Sequence, residues 1–180
     1  HLVMLRELGM STFVAGAIAD LGSLAIMQNN NEYAVELLSE GLETLRTRGN
    51  TGDIVRSLGL LAEAESNLGN DKVGEKLLKE ALSLSLENGY RRHAVRSLEQ
   101  LAPIAHRLGL VEKSTRLLGA ADASRSALGF TRTKDVQTAV DHSIAAAGHR
   151  LEEPDFLELW NEGHAMSLEE AVEYALSEDE

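Results

Sequence analysis

Apolar residues recur three or four positions apart through most of the chain, a spacing that predicts amphipathic helices. The clearest stretch holds two such series, separated by Gly69 and Asn70. The first series is Ile54, Leu58, Leu61 and Leu68, and the second is Val73, Leu77, Ala81 and Leu84. The pattern therefore predicts two helices joined by a short turn, which is a helical hairpin.

This hairpin is one unit of a repeat of 40 residues. Gly9, Gly49, Gly89 and Gly129 are spaced 40 residues apart, and the same shift superposes the leucine pairs at 37–38, 77–78 and 117–118. A single hairpin cannot bury its apolar stripe alone, so successive hairpins are expected to stack. We predict an all-α fold, an α-solenoid in which three helical hairpins occupy residues 11–130.

The helix boundaries follow from the turn residues between the apolar series. The side chain of Asp71 is a candidate cap for the start of a second helix, and Gly89 supplies a left-handed residue that ends it. First helices are predicted at 11–27, 52–68 and 91–107, and second helices at 31–48, 71–88 and 111–128. Residues 2–9 match the end of a second helix, so residues 1–10 are expected to be the end of a truncated preceding repeat.

After Gly129 the 40-residue period ends, and residues 131–180 are predicted to form a C-terminal helical cap. Helices are expected at 133–149 and at 154–163, where Pro154 favours a first turn. Ser167 and Glu170 then form a predicted capping box that begins a last helix.

The predicted cap differs from the repeats in its charge. Residues 1–130 carry 14 basic and 16 acidic side chains, whereas residues 131–180 carry 3 and 13. Phe156 and Trp160 lie one helical turn apart in this acidic region. They either cover the apolar end of the last hairpin or anchor a partner, and the sequence leaves both interpretations open.

The composition limits the partners and the compartment. A net charge of -12 repels nucleic acid and anionic lipid, and no apolar run has the length of a membrane span. With 0 cysteines there is neither a disulfide framework nor a cysteine zinc site. We therefore predict a cytoplasmic protein without direct nucleic-acid or membrane contacts.

The sequence holds no strong catalytic motif. Gly69 and Gly74 have the glycine spacing of a phosphate-binding loop, but Glu75 follows where that loop has a lysine, and a carboxylate repels phosphate. His142 and His149 lie two helical turns apart without a third metal ligand nearby. A hydrolase that uses these two histidines is the weakest alternative, and we expect no enzyme activity, no metal and no cofactor in this segment.

The repeat resembles the tetratricopeptide repeat. Leu61 and Ala62, followed by Gly74, Leu78 and Ala81, have its alternation of large and small residues, which recurs 40 residues later. The resemblance implies that first helices line a concave groove that binds a peptide or a partner protein.

The C-terminal region has a more specific resemblance. The run at 116–121 (Arg-Leu-Leu-Gly-Ala-Ala) and the series Phe156, Trp160, Gly163 and Met166-Ser167-Leu168 resemble the C-terminal end of bacterial STAND-class signalling ATPases and of LuxR- or AfsR-type transcriptional regulators. In such proteins a nucleotide-binding module precedes a helical sensor. The resemblance implies a sensor segment, with any ATPase activity in an upstream domain.

The tetratricopeptide resemblance also selects the candidate partner-binding residues, which lie along the predicted first helices. Arg56 and Arg96 are equivalent by the 40-residue shift and could together bind a carboxylate-bearing segment, or they could pair with Glu63, Glu99 or other local acids. The candidates are Arg56, Glu63, Asn67, Arg96, Glu99, His106 and Arg107.

The predicted function is therefore protein–protein interaction in the sensor segment of a larger signalling ATPase or transcriptional regulator. Its partner would be a protein, a peptide or another domain of the same parent chain. The alternative is a freestanding repeat scaffold that associates with other copies of itself as a homo-oligomer.

Overall fold

The computed structural model describes residues 11–48, 50–132 and 134–177, and within them the regular secondary structure is helical, with no strand. The helices are α1 (Ser11–Met27), α2 (Asn31–Arg48), α3 (Thr51–Asn67), α4 (Asp71–Glu87), α5 (Arg91–Arg107), α6 (Val111–Leu128), α7 (Lys134–Gly148), α8 (Glu153–His164) and α9 (Leu168–Leu176). The all-α prediction is confirmed, and the ends of α1 to α8 lie within one residue of the predicted ends. The repeat end predicted at residues 1–10 lies outside the described residues, as do Gly49 and residues 178–180.

The chain divides into two compact units between Leu84 and Ser85, inside α4. The first unit contains α1 to α3 and most of α4, and the second contains the end of α4 and α5 to α9. Consecutive helices α1 and α2 pack against each other in the first unit, and α5 and α6 do so in the second, which is consistent with the predicted all-α solenoid of hairpins. The sequence-based division at residue 130 falls inside the second unit.

The core of the first unit follows the predicted apolar series only in part, since Leu58, Leu61 and Ala81 are buried but Leu68 and Val73 are exposed at the hairpin turn. Helix α1 packs against α2, α2 packs against α3, and α1 also contacts α3. Its largest fully buried side chains are Ile18, Leu38, Leu45, Val55, Leu58, Leu78 and Leu82. Burial of one such side chain stabilises a fold by about 1.5–3 kcal/mol. An ion pair of 2.6 Å between Arg46 and Glu80 joins α2 to α4.

The turns inside the three hairpins have the same geometry. Asn29, Gly69 and Gly109 occupy equivalent positions and all have positive φ angles, of 58°, 84° and 88°. After each of them a backbone N–H donates to a carbonyl five residues earlier, over 2.9 Å in all three turns. This bond satisfies a carbonyl at the helix end that would otherwise lack a partner. Glycine suits the position because positive φ is strained for most residues, and asparagine is a common exception.

The predicted cap at Asp71 is wrong in detail. Asp71 is itself the first residue of α4, and its carboxylate accepts a hydrogen bond of 2.9 Å from the Ser66 hydroxyl. The Asn70 carbonyl accepts the first helical hydrogen bonds of α4. Gly89, by contrast, has a φ of 70° and confirms the predicted left-handed end of that helix.

In the second unit, α6 is the central helix. It packs against α5 and α8 and also contacts α7 and α9. A Cβ atom on Gly163 of α8 would lie 2.0 Å from the Arg116 carbonyl oxygen, and one on Gly119 of α6 would lie 2.3 Å from the Trp160 carbonyl oxygen. No other amino acid fits at these distances, so the two glycines permit the close approach of α6 and α8.

Helix α9 has the capping box that the sequence predicts. The Ser167 hydroxyl accepts from the Glu170 N–H over 3.2 Å, and the Glu170 carboxylate accepts from the Ser167 N–H over 2.8 Å. The Ser167 backbone hydrogen bond lowers the pKa of Glu170. At the other end, Lys113 Nζ donates to the Ser177 carbonyl over 3.1 Å, as favoured for a cation at a helix C-terminus.

Candidate functional site

The seven candidate partner-binding residues lie on the first helices of the second and third hairpins, as predicted, but in separate compact units. Helix α3 of the first unit carries Arg56, Glu63 and Asn67, and helix α5 of the second unit carries Arg96, Glu99, His106 and Arg107. The candidates on each helix therefore have their own surroundings.

On α3, the candidate side chains contact neighbouring helices of the first unit. Arg56 is exposed and donates to the Asp20 carboxylate of α1 over 2.5 Å, so its partner is a local acid one repeat earlier rather than Glu63. Asn67 donates to the side chain of the buried Asn31 over 3.0 Å, which joins α3 to α2. Both candidates thus make contacts that stabilise the hairpins.

Glu99 requires a correction, because it lies inside the second unit and not on a partner-facing surface. Its side chain is 2% exposed and accepts two hydrogen bonds from Arg125 of α6. Arg132 Nε also donates to Glu99 Oε1, over 2.7 Å. Burial of a carboxylate is costly unless it is paired and hydrogen-bonded, and here two guanidinium groups satisfy it.

Arg132 extends this pairing into a larger ionic cluster. Its Nη1 lies 3.2 Å from the Asp122 carboxylate and 3.4 Å from the side-chain oxygen of Gln137. The guanidinium of Arg125 lies 4.1 Å from the centre of the Phe130 ring, a cation–π distance. The cluster therefore connects α5, α6, the segment after Gly129 and α7.

Two arginines on α5 remain at the surface beside this cluster. Arg92 and Arg96 are exposed and lie one helical turn apart, so their side chains share a helix face. The Arg92 guanidinium lies 5.2 Å from the Phe130 ring centre. Arg96 has no hydrogen-bond or ion-pair partner among the described residues. The sequence singled out Arg96 but not Arg92 or Phe130.

The last two candidates lie at the C-terminal end of α5. His106 is half-buried, and its Nδ1 atom is buried without a hydrogen-bond partner in the described part of the chain. Arg107 is exposed. Both follow Glu99 by two helical turns and lie beyond the ionic cluster.

The motif residues of the C-terminal resemblance meet at the contact between α6 and α8. Besides the two glycines, Arg116 Nε donates to the Glu162 carboxylate over 2.7 Å. Partial burial acts to lower the pKa of Arg116, but the hydrogen bond to Glu162 and the influence of Tyr174 raise it overall. The rings of Phe156 and Trp160 stack with centres 6.0 Å apart and are half-buried. The motif therefore has a packing role, and the aromatic pair keeps part of its surface in water.

The first unit has an exposed apolar face on α1. Leu21, Leu24 and Met27 are 39%, 48% and 78% exposed. At the equivalent positions of α3, which packs against α2, Leu61 and Ala64 are buried. Exposed apolar surface of this kind often marks an interaction site.

Two features bear on metal or phosphate chemistry, the histidines at 142 and 149 and the carboxylate of Glu75. The described residues contain no group of three or more His, Cys, Asp or Glu side chains that could hold a metal ion; His142 is exposed on α7, and His149 is exposed in the turn that follows it. Burial acts to raise the pKa of Glu75, but hydrogen bonds from Lys79 and Lys72 outweigh it and lower that pKa. The charged carboxylate thus lies just after Gly74, where it would repel a phosphate. None of the helices in the described part of the chain has the length and apolarity needed to cross a bilayer.

Comparisons with known proteins add one distant similarity. No family model matches the chain, and neither does any solved structure. A stretch of 79 residues, 44% of the chain, is 35% identical to a protein of Mycobacterium bovis named "Putative HTH-type transcriptional regulator". Proteins with the same description from two strains of Mycobacterium tuberculosis match with the same identity over the same length. The chain resembles part of a transcriptional regulator. The matched stretch spans 9% of the length of those relatives, so most of each relative lies outside the comparison.

Proposed function

We propose that this chain is a tetratricopeptide-like interaction segment of a larger transcriptional regulator, and that it has no enzyme activity of its own. The observation that carries the proposal is the similarity to regulators about ten times longer than the matched stretch. The helical hairpins support it, because stacked hairpins present extended surfaces suited to proteins and peptides. The STAND resemblance adds the expectation of a nucleotide-binding module elsewhere in the parent chain.

In this proposal a partner protein, a peptide or another domain of the parent binds the segment and changes the activity of the parent. Such binding can shift the parent between two states only if the partner binds one state more tightly than the other. Couplings of this kind usually change an affinity by about 5- to 150-fold.

The experiment compares the intact parent regulator with a version that lacks residues 11–177. We expect DNA binding by the parent to respond to its cellular signal, and the deletion to change that response by at least about fivefold. A matched deletion outside the helical hairpins serves as the control. An unchanged response in the deletion, with DNA binding intact, would contradict the proposal.

The exposed face of α1 favours a second candidate, a scaffold that self-associates. Two copies could bury Leu21, Leu24 and Met27 against each other. Light scattering over a range of concentrations tests this. We expect the mass of a dimer for the unmodified chain and of a monomer for Leu21→Ser with Leu24→Ser, whereas the control Leu157→Ser, which removes another exposed leucine, should remain dimeric. A monomer at all concentrations rejects this candidate.

A further inference from the structure

Positive charge accumulates on the surface beside the ionic cluster of the second unit. Within the cluster, Arg125 and Arg132 balance Glu99 and Asp122, and the two further guanidinium groups of Arg92 and Arg96 lie on the exposed face of α5. Arg92 and Arg96 are left without a carboxylate partner among the described residues, although the chain as a whole has a net charge of -12.

Electrostatics within α5 do not favour two arginines there. Like charges one helical turn apart destabilise a helix by a few tenths of a kcal/mol. Arg92 also lies near the positive end of the helix dipole, in a helix whose first turn has no acidic residue and whose first residue follows Tyr90 without a side-chain cap. The two arginines therefore lower the stability of α5. Residues that serve binding often have such a cost in stability.

Three other exposed arginines are paired with acidic side chains. Arg46 pairs with Glu80, Arg56 with Asp20, and Arg91 with Glu169, over 2.5 to 2.6 Å. Arg91 is the immediate neighbour of Arg92. The acidic side chain near the start of α5, that of Glu169, pairs with Arg91 and not with Arg92. The guanidinium groups of Arg92 and Arg96 thus remain available to an external anion.

We propose that Arg92, Arg96 and the ring of Phe130 form a binding surface for an acidic peptide segment. Carboxylates one helical turn apart would each receive a pair of N–H donors from one guanidinium, a geometry that arginine provides and lysine does not. An apolar side chain between them would contact the half-buried Phe130 ring. This inference rests on the proposed function, since it names the chemistry of the partner.

An acidic peptide fits this surface better than a nucleic acid does. A nucleic acid brings a continuous row of phosphates, and a chain with a net charge of -12 repels such a polyanion more strongly than a peptide with two charges. A short peptide needs to place only two charges next to the arginines.

The test uses a fluorescein-labelled peptide, acetylated and amidated, with two glutamates one helical turn apart and a leucine between them. Its binding to the chain is followed by fluorescence anisotropy at low salt. We expect saturable binding that weakens at least about tenfold, or 1.4 kcal/mol, in Arg92→Gln with Arg96→Gln. The control Arg46→Gln with Arg56→Gln removes the same charge from the first unit and should leave the affinity unchanged. Circular dichroism verifies that both variants keep their helices.

Three results would overturn the inference. They are the absence of saturable binding, an equal loss of affinity in both double variants, and tighter binding of a single-stranded oligonucleotide of the same length. None of them decides the proposed function, because the deletion experiment in the parent measures regulation without reference to these two arginines.

Discussion

The first and third hairpins fill equivalent buried positions with side chains of different chemistry. At one pair of equivalent positions the first hairpin has Ala19 and Leu45, and the third has Glu99 and Arg125. All four are buried in their own unit. The comparison teaches that the 40-residue repeat fixes which positions are inside, while a buried position accepts either an apolar side chain or a fully paired charge. The two solutions respond differently to mutation.

The largest effect is expected when the buried charge cluster is broken. Glu99→Ala leaves Arg125 and Arg132 buried without their shared carboxylate, so we expect a loss of about 3–5 kcal/mol in the free energy of unfolding, measured with urea. The double variant Glu99→Ala with Arg125→Leu recreates the apolar pair of the first hairpin. It should be more stable than the single variant.

The matched control for this prediction is the exposed ion pair of the first unit. Asp20→Ala removes the carboxylate that pairs with Arg56 at the surface, and exposed pairs contribute about 0–1 kcal/mol. If Glu99→Ala costs no more than Asp20→Ala, burial of the cluster has no energetic consequence and the comparison of the hairpins fails.

The next effect concerns the glycines that let helices approach. Gly163→Ala places a methyl group 2.0 Å from a backbone oxygen of α6, and we expect a loss of about 1–3 kcal/mol because α6 and α8 must separate. In the first unit a Cβ on Gly22 would instead meet the side chain of Leu38, at 2.6 Å. Since a side chain can move more readily than a backbone, Gly22→Ala should cost less.

Gly148→Ala is the control for the glycine comparison. A methyl group added to this helical glycine would meet nothing within 4 Å, so alanine should be neutral or should stabilise by up to about 1 kcal/mol through its helix propensity. Thermal unfolding of Gly163→Ala, Gly22→Ala and Gly148→Ala gives the order of their stabilities. A Gly163→Ala variant as stable as Gly148→Ala would disprove the close approach of α6 and α8.

A smaller effect is expected at the equivalent turns. Gly109→Ala should cost about 1–2 kcal/mol, because φ is 88° there and a Cβ atom makes that conformation strained. Gly109→Asn should cost less, since Asn29 adopts a positive φ at the same position of the first hairpin. Equal losses in the two variants, measured by urea unfolding, would show that asparagine gains nothing from its side chain in this turn.

The smallest effect is the pH dependence of the α9 cap. The pKa of Glu170 is lowered in the folded state, so the folded chain binds this proton less tightly than the unfolded chain does. Its contribution is therefore present above the ordinary pKa of 4.5 and is lost as the pH falls through the lowered value. The stability difference between the unmodified chain and Glu170→Ala should shrink on acidification. A constant difference would mean that the charge of Glu170 is not involved.

The candidate site was predicted less well than the helices. Arg96, which the sequence selected, is exposed on α5, but the sequence also selected Glu99, which is buried. The helical period identifies which residues share a face of a helix, but it does not show whether other side chains cover that face. Glu99 lies on the predicted face of α5 and is covered by two arginines. One of them, Arg125, is 26 positions away, and no local pattern announces such a pairing.

The sequence by itself determined the helices, their turns and the capping box of α9. These features depend on residues within a few positions of each other, such as the apolar spacing, the Leu-Gly turns and the pair of Ser167 and Glu170. Only the tertiary structure decided that Arg56 pairs with Asp20, that Glu99 is enclosed, and that Arg92 and Arg96 find no carboxylate within the described ranges. The physical reason is that ion pairing depends on which helix surfaces meet and exclude water, and those contacts join residues far apart in the chain.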